Sequence, residues 1–426
     1  MVFLLYNFLL TIFSPFWVPW MLWRAAQRKE KPNWKERQGF FQLTPNKSAT
    51  RVWVHAVSVG EVVAAAPILR ELKAQKPDLE IVLSVTTSSG HQTARETVSD
   101  AYDHLVYMPI DIPMLQLRAM QRVQPKVVAI METELWMDFL WAAKTFEART
   151  LLINGRISDR SFPWAKLLKF FYHALLKNMD RCLMQTSVDA ERIKALGAQD
   201  VEVLGNCKFD QAVEGLDADP QEWREKLGVP RGADQIDQAS RPPFTIVIGS
   251  TRGSEEEDFV LNSLSRLDGL FVIHAPRHME RVSDLAAKVK AKFGKVSLRS
   301  EGPATSNYLI LDTYGELSSV YSVADVVIIG GGFANHGGQN LIQPLAHGKP
   351  VLHGPHMQNF RAVAESAQKA GASQVCRTPE DLAAAMKMLR EDESTRSQAG
   401  AAAKTLVQEN LGASKRYADA ILKELD

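Results

Sequence analysis

Short apolar runs alternate with amphipathic stretches along most of this 426-residue chain, and this alternation limits the folds that the chain can adopt. A strand–helix repeat predicts a mainly parallel sheet with right-handed crossover connections. The first series has predicted strands at residues 52–54, 81–85, 104–109, 126–131, 151–154, 181–185 and 201–204. A second series has them at 245–248, 270–274, 308–311, 326–329 and 350–353, and the chain from 378 onwards is predicted to be helical.

A polar stretch with four prolines, residues 213–243, separates the two series. It has no sustained apolar period, so it is predicted to be an interdomain linker with one short helix. We therefore predict an α/β protein with two Rossmann-like domains facing a cleft, at 31–212 and 244–426. The length agrees with this division, because 426 residues exceed a single ordinary core.

The amino terminus has a different composition. Residues 2–23 are almost entirely apolar, with aromatic side chains interleaved, and are long enough to span or embed in a membrane. Pro15 and Pro19 would kink a spanning helix and the aromatic residues favour the interface, so a half-inserted anchor competes with a full span. We assign residues 1–30 to a membrane anchor helix and its basic flank. Basic residues follow the apolar stretch, which by the positive-inside rule predicts a cytoplasmic body.

Charge and cysteine content exclude several classes of protein. The formal net charge of +1 provides no global field that would attract nucleic acid, so no nucleic-acid partner is expected. The three cysteines, Cys182, Cys207 and Cys376, are widely spaced without a paired motif. This spacing argues against a disulfide scaffold or a zinc site. No cofactor is expected.

Glu61 lies at a glycine turn between a predicted strand and a predicted helix. Ligands of open α/β sheets bind outside the carboxyl ends of the strands, so this carboxylate is a candidate general base. A second interpretation is also open. Ser58 or Gly60 could cap the helix, and Glu61 could simply interact favourably with the positive end of the helix.

Three segments of the second half follow predicted strands of one sheet. Five glycines between 330 and 338 expose backbone amides that, with a helix start near Gln339 and Asn340, predict a phosphate cradle; the alternative is a structural tight turn. Arg277 can bind a phosphate in a bidentate manner or form a surface salt bridge. The turn at 312–317 can present backbone groups to a base or cap a helix.

With these residues in place, the chain resembles the Kdo (3-deoxy-D-manno-octulosonic acid) transferases, which have the GT-B fold. The resemblance covers nearly all of the chain after the anchor. The motifs that carry it are HAVSVGE at 55–61, MPIDIP at 108–113, METELW at 131–136, NGRIS at 154–158, GNCKFD at 205–210, APRH at 275–278, DTYGEL at 312–317 and GPH at 354–356.

The resemblance implies an inverting transfer of Kdo from CMP-Kdo to a lipid A precursor (lipid IVA) in lipopolysaccharide core biosynthesis. The reaction would take place at the cytoplasmic face of the bacterial inner membrane, whose lipids would also be partners, and without a bound metal. Glu61 would be the general base. Glu132 and Lys208 would stabilise the transition state, although Lys208 could instead be a structural partner of Glu132 or Asp210.

The resemblance also implies binding residues for the donor, and the positions of other residues suggest candidates for the acceptor. Those implied for CMP are Pro276, Arg277, Tyr314, Gly315, Glu316, Asn340 and Gln343. Ser58, Gly60 and Arg156 are the candidates for acceptor binding, since they lie in motifs that follow strands of the first domain.

The sequence departs from the family pattern at several positions. The chain has Asn340-Leu-Ile-Gln343 where Asn-Pro-Leu-Glu is usual, and the amide of Gln343 lacks the charge of a carboxylate. It also has Asp138 where the family usually has asparagine, and residues 250–255 differ from the usual Ser-Thr-His-Glu-Gly-Glu. Two alternatives therefore stay open: a GT-B glycosyltransferase that uses another nucleotide sugar, and a membrane-anchored protein that binds a nucleotide sugar or lipid without catalysis.

Overall fold

The computed structural model describes residues 2–27, 33–43, 49–133, 135–158, 161–213, 216–230 and 243–425. The predicted basic flank at Arg28, Lys29 and Lys31 and the linker residues 231–242 lie outside them. The chain forms two compact units. The first unit comprises Met1–Asp210 and Asn410–Asp426, and the second comprises Gln211–Glu409.

The first unit contains a seven-stranded parallel sheet in the order β3-β2-β1-β4-β5-β6-β7. Its strands are β1 Arg51–Ala56, β2 Glu80–Val85, β3 His104–Tyr107, β4 Val127–Met131, β5 Arg149–Gly155, β6 Arg181–Met184 and β7 Val201–Val203. Its helices up to this point are α1 Val2–Gln27, α2 Trp34–Arg37, α3 Val59–Gln75, α4 Ser88–Thr97, α5 Pro113–Val123, α6 Met137–Thr145, α7 Phe162–Leu167, α8 Lys169–Leu176 and α9 Ser187–Leu196. All seven strands predicted from the sequence are confirmed. All six residues of β1 are buried, as expected for a central parallel strand covered on both faces.

The second unit has its own seven-stranded parallel sheet, in the order β10-β11-β9-β8-β12-β13-β14. Its strands are β8 Phe244–Thr251, β9 Leu270–Pro276, β10 Ser297–Leu298, β11 Tyr308–Ile310, β12 Val326–Ile329, β13 Val351–His353 and β14 Ser373–Val375. Its helices are α10 Pro220–Leu227, α11 Ser254–Leu264, α12 Val282–Phe293, α13 Leu317–Val320, α14 Ile342–Ala346, α15 Arg361–Lys369, α16 Pro379–Glu391 and α17 Glu393–Asn410. The five predicted strands are confirmed, and α10 is the short helix expected in the linker. The edge strands β10 and β14 were not predicted, because their sequences, Ser-Leu and Ser-Gln-Val, are not apolar runs.

The last helix, α18 Ala413–Lys423, belongs to the first unit. From the sequence we predicted one domain at 244–426, whereas in the structure the residues from Asn410 onwards belong to the first unit. The physical reason is the apolar face of α18: Tyr417, Ala418 and Ile421 are buried in the core of the first sheet. In addition, the Asp210 carboxylate accepts hydrogen bonds from the backbone amides of Gly412 and Ser414 at 2.6 and 2.7 Å.

Helix α1 is the apolar segment expected at the amino terminus. It is a single 26-residue helix that includes both Pro15 and Pro19. Its Val2–Trp20 part has a mean hydropathy of 1.6 and is long and apolar enough to cross a membrane. The start of α1 packs on the first unit, where the Phe3 ring lies 4.8 Å from the Trp141 ring.

Two buried carboxyl groups hold the first turns of α1. The Tyr6 hydroxyl donates to Asp111 at 2.9 Å, and the Asn7 side-chain amide donates to Asp138 at 2.8 Å. Asp111 also accepts from the backbone amides of Asp138 and Phe139, so the two carboxyl groups are neighbours. Burial raises the pKa of Asp111 to about 6. Burial, reinforced by the charge of Asp111, raises the pKa of Asp138 to about 7.

We expect Asp138→Asn to stabilise the first unit at pH 8 and to flatten its pH dependence. A carboxyl whose pKa is raised in the folded state contributes stability below its unfolded pKa near 3.8, and this stability is lost as the pH rises through about 7. The asparagine side chain can still accept from Asn7. It removes one of two adjacent buried charges, for a gain on the order of 1 kcal/mol at pH 8. Thermal unfolding at pH 5 and pH 8 measures the effect.

The matched control is Asp78→Asn, because Asp78 is exposed after α3. This control should leave the difference between the two pH values unchanged. An Asp138→Asn protein that is destabilised equally at both pH values would contradict the expectation.

Candidate functional site

The strand order of the first unit places a topological switch point between β1 and β4, which are neighbours in the sheet. Open α/β sheets bind their ligands at such a point, outside the carboxyl ends of the strands. Glu61 lies in the first turn of α3, just after β1, and Glu132 directly follows β4. The fold therefore brings these two predicted site residues to the same edge, on either side of the switch point.

Glu61 is buried, with 7% of its surface exposed, and is fixed by the start of α3. Ser58 is the N-cap: its hydroxyl accepts from the Glu61 backbone amide at 3.4 Å. In return, the Glu61 carboxylate accepts from the Val57 amide at 2.8 Å and from the Ser58 hydroxyl at 3.1 Å. The capping interpretation thus holds for Ser58. A carboxylate has about four lone-pair directions, so these bonds orient Glu61 and are compatible with its acting as a base.

The histidine at the start of this motif has a structural role. His55 is fully buried on β1, and its Nδ1 lies 2.9 Å from the Ser84 hydroxyl on β2. Burial lowers the pKa of His55 to about 4, so the ring is neutral near pH 7. His55 therefore helps to align β1 with β2. The turn that leads to Glu61 begins at the end of β1.

Glu132 and Lys208 form an ion pair, with the Lys208 Nζ 3.0 Å from a Glu132 oxygen and both side chains mostly buried. Of the two structural partners that the sequence left open, Lys208 contacts Glu132, whereas Asp210 caps the start of α18. Glu132 has a φ of +56°, a left-handed conformation that is rare for glutamate. Such backbone strain concentrates at functional sites.

Asn154, at the end of β5, also has a left-handed backbone, with φ at +50°, and its side-chain oxygen accepts from the Cys207 amide at 3.3 Å. Sequence reasoning did not assign it a role, although its motif was recognised. Arg156 follows it at the same edge and is half-buried. Gly60 is exposed in the first turn of α3, so the acceptor candidates lie close to the strand ends that carry Glu61 and Asn154.

The segment that carries Lys208 is held by the carboxyl-terminal residues of the chain. The Tyr417 hydroxyl donates to the Gly205 carbonyl at 2.7 Å, and the Asn206 amide donates to the Asn410 side chain at 2.8 Å. The Arg416 guanidinium donates to the Leu204 carbonyl at 2.9 Å. These contacts join residues about 200 positions apart, so no local sequence pattern predicts them.

In the second unit the switch point lies between β8 and β12, and the glycine-rich loop follows β12. The phosphate cradle was predicted from free loop amides and a helix start near Gln339, and the structure differs in both respects. The buried Glu256 carboxylate already accepts from the amides of Gly331 at 2.7 Å and Phe333 at 3.0 Å. In addition, α14 begins at Ile342 rather than near Gln339 and has only five residues. The loop is thus built around an internal anion, which supports the structural alternative for these amides.

The predicted donor residues follow three strands at the carboxyl edge of this second sheet. Pro276 ends β9, and Arg277 after it is exposed. Tyr314 is 80% exposed, and Gly315 has a φ of +83° in the turn after β11.

The remaining donor candidates have partners within the unit. Glu316 accepts from Arg299 at 3.0 Å and from the Thr313 hydroxyl. The Asn340 side chain accepts from the Ile342 amide at 2.9 Å, at the start of α14, and Gln343 is partly buried within that helix. The described part of the chain contains no group of three or more His, Cys, Asp or Glu side chains that could hold a metal ion.

Comparison with known proteins identifies the family. A sequence model described as 3-deoxy-D-manno-octulosonic-acid transferase (kdotransferase) matches residues 32–211. The 3-deoxy-D-manno-octulosonic acid transferase of Bordetella pertussis is 32% identical over 396 residues, which cover 88% of each chain. This chain belongs to the Kdo transferase family. It is therefore a glycosyltransferase.

Two further similarities concern a longer relative and a protein of known structure. A bifunctional glycosyltransferase/methyltransferase of Fusobacterium nucleatum is 31% identical over 85% of this Kdo transferase, which spans only 55% of that relative's length. The crystal structure of MurG from Acinetobacter baumannii superposes with a TM-score of 0.56 at 14% identity, covering 88% of this chain and 100% of that one. The likeness to MurG shows the GT-B fold.

Proposed function

We propose that this Kdo transferase transfers Kdo from CMP-Kdo to a sugar hydroxyl of a lipid A precursor, with inversion and with Glu61 as the general base. The observation that carries the proposal is the placement of Glu61 and the Glu132–Lys208 pair at the ends of neighbouring strands beside the switch point. Inversion requires a base that removes the acceptor proton opposite the leaving group. The hydrogen bonds from Val57 and Ser58 hold the Glu61 carboxylate in one orientation for this step.

Lys208 provides a positive charge for negative charge that develops as the bond to CMP breaks. Its pairing with Glu132 fixes the ammonium group, and the contacts of Asn206 with Asn410 fix the backbone that carries it. On the second unit, the exposed Arg277 is suited to the phosphate of CMP, and the turn of Tyr314, Gly315 and Glu316 to its base or ribose. Asn340 and Gln343 complete the proposed CMP site.

Helix α1 fits the same proposal as a membrane anchor at the cytoplasmic face of the inner membrane. A lipid A precursor keeps its acyl chains in the bilayer and presents only its sugar head. An enzyme held at that surface meets its acceptor at a raised effective concentration. The exposed apolar residues of α1, such as Leu4 and Phe8 at 70% and 60%, are consistent with contact with lipid.

Mass spectrometry of a tetraacyl lipid A precursor after incubation with the enzyme and CMP-Kdo tests the proposal. We expect products heavier by one or more Kdo residues, and the mass also reports how many are added. Parallel reactions with UDP- and GDP-sugars test the alternative that the donor is another nucleotide sugar, which the glutamine at position 343 leaves open. Turnover with one of these but not with CMP-Kdo would overturn the choice of donor, and binding without turnover would indicate a non-catalytic protein.

A further inference from the structure

A second apolar surface lies on the first unit outside α1. Four large apolar side chains within seven residues are exposed to solvent: Trp164 at 69%, Leu167 at 70%, Leu168 at 44% and Phe170 at 60%. We call these four residues the α7–α8 face. Contiguous exposure of this kind is uncommon on soluble proteins and marks a surface that binds a partner or a membrane.

The helices that carry this face are firmly attached to the protein. On their inner side Ala165, Leu175 and Leu176 are buried in the core of the first unit, at 4%, 1% and 3% exposure. The helices are therefore not frayed ends whose side chains are exposed by default. Their outward apolar residues are presented by a packed structure.

Helix α8, which carries part of the α7–α8 face, packs against α1. The Tyr6 ring on α1 lies 5.8 Å from the Phe171 ring on α8, so the two helices touch. On α1 itself, Leu5, Phe8 and Ile12 are also exposed, at 47%, 60% and 50%. The α7–α8 face therefore lies on helices next to one that is apolar enough to cross a membrane.

The charges around the face favour an anionic lipid surface over a protein partner. Lys166 and Lys169 are exposed between the apolar residues, and no acidic residue occurs from Ser161 to Met179. Basic residues interleaved with Trp, Leu and Phe are the pattern of helices that lie in the membrane interface. Each lysine near an anionic surface adds to the attraction.

We propose that the α7–α8 face is a second membrane contact, which lies in the interface of an anionic bilayer beside α1. Trp164 and Phe170 would insert at the level of the headgroups, and Lys166 and Lys169 would bind lipid phosphates. This segment follows β5, whose end carries Asn154 and Arg156. The contact therefore holds the carboxyl edge of the first sheet close to the bilayer, where the acceptor's sugar head lies; this last step rests on the proposed function.

Site-specific labelling of the full chain tests the contact directly. The three native cysteines are buried, so Leu167→Cys can be labelled with an environment-sensitive fluorophore. Ala74→Cys, exposed on α3, is the matched control. In nanodiscs with anionic lipid we expect a blue shift and quenching by spin-labelled lipid at position 167 but not at position 74. A solvent-like spectrum at position 167 would overturn the proposal, as would a blue shift that appears in detergent together with dimer formation, since a second copy would then cover the face.

A kinetic test separates this inference from the proposed function. Lys166→Glu with Lys169→Glu should raise the KM for acceptor embedded in anionic vesicles by about tenfold or more, because two attractive charges become repulsive. The rate with acceptor dispersed in neutral detergent should not change. An equal loss in both assays would contradict a lipid contact. If CMP-Kdo supports no transfer at all, the proposed function fails, while the labelling result still decides the membrane contact.

Discussion

Glu61→Gln is expected to lower kcat for Kdo transfer by about 10² to 10⁴-fold, the usual contribution of a general base. Glutamine has almost the same shape, and its amide can accept from the Val57 N–H and donate to the Ser58 hydroxyl, the two contacts that the glutamate makes at 2.8 and 3.1 Å. The helix cap is therefore retained while the basic group is lost. Steady-state rates with CMP-Kdo and the lipid acceptor measure the effect, and thermal unfolding checks that stability is kept.

The control for this substitution is Glu71→Gln, ten positions further along the same helix and away from the strand ends. We expect it to transfer Kdo at the unchanged rate. If Glu61→Gln also transferred at the full rate, Glu61 would be a capping residue only, and the base would have to be sought elsewhere.

Lys208→Met is expected to lower kcat by about 10² to 10³-fold, the range seen when one charge-stabilising donor is removed from an active site. Methionine keeps most of the length of the side chain but cannot pair with Glu132, which lies 3.0 Å from the lysine in the native protein. Because the pair is mostly but not fully buried, its loss should cost about 1 to 3 kcal/mol of stability. The measurement is kcat at saturating donor, together with the unfolding midpoint.

Lys126→Met provides the comparison, because Lys126 is exposed at the opposite end of β4 from Glu132. This variant should be fully active. A Lys208→Met enzyme with normal kcat and a lowered unfolding midpoint would show that the ion pair is structural, as the second interpretation of Lys208 holds.

The sequence predicted the central strands because parallel strands buried on both faces are continuous apolar runs. It did not predict β10 and β14, since their sequences, Ser-Leu and Ser-Gln-Val, contain no such apolar run. The motifs around Glu61, Glu132 and Lys208 were readable, whereas the left-handed backbone at Glu132 was not, because glutamate has no preference for that conformation.

The glycine-rich loop shows a second limit of sequence reasoning. Bare glycine amides predict an anion, and the structure does place an anion there, but it is the chain's own Glu256, about 75 residues earlier. In the sequence Glu256 is one of three acidic residues in the first turn of α11. Acidic residues are common there because they interact favourably with the helix dipole. Only the long-range packing of α11 against the loop distinguishes this residue from its neighbours.

The position of α18 also sets the order in which the protein can be completed during its synthesis. The first unit, including the segment with Lys208, lacks its final helix until the ribosome has translated the roughly 200 residues of the second unit. At about 5 to 20 residues per second, the core surface that α18 covers stays open for roughly 10 to 40 s on each nascent chain. A nascent Kdo transferase therefore emerges with its apolar helix α1 first, and the segment that carries Lys208 is secured last.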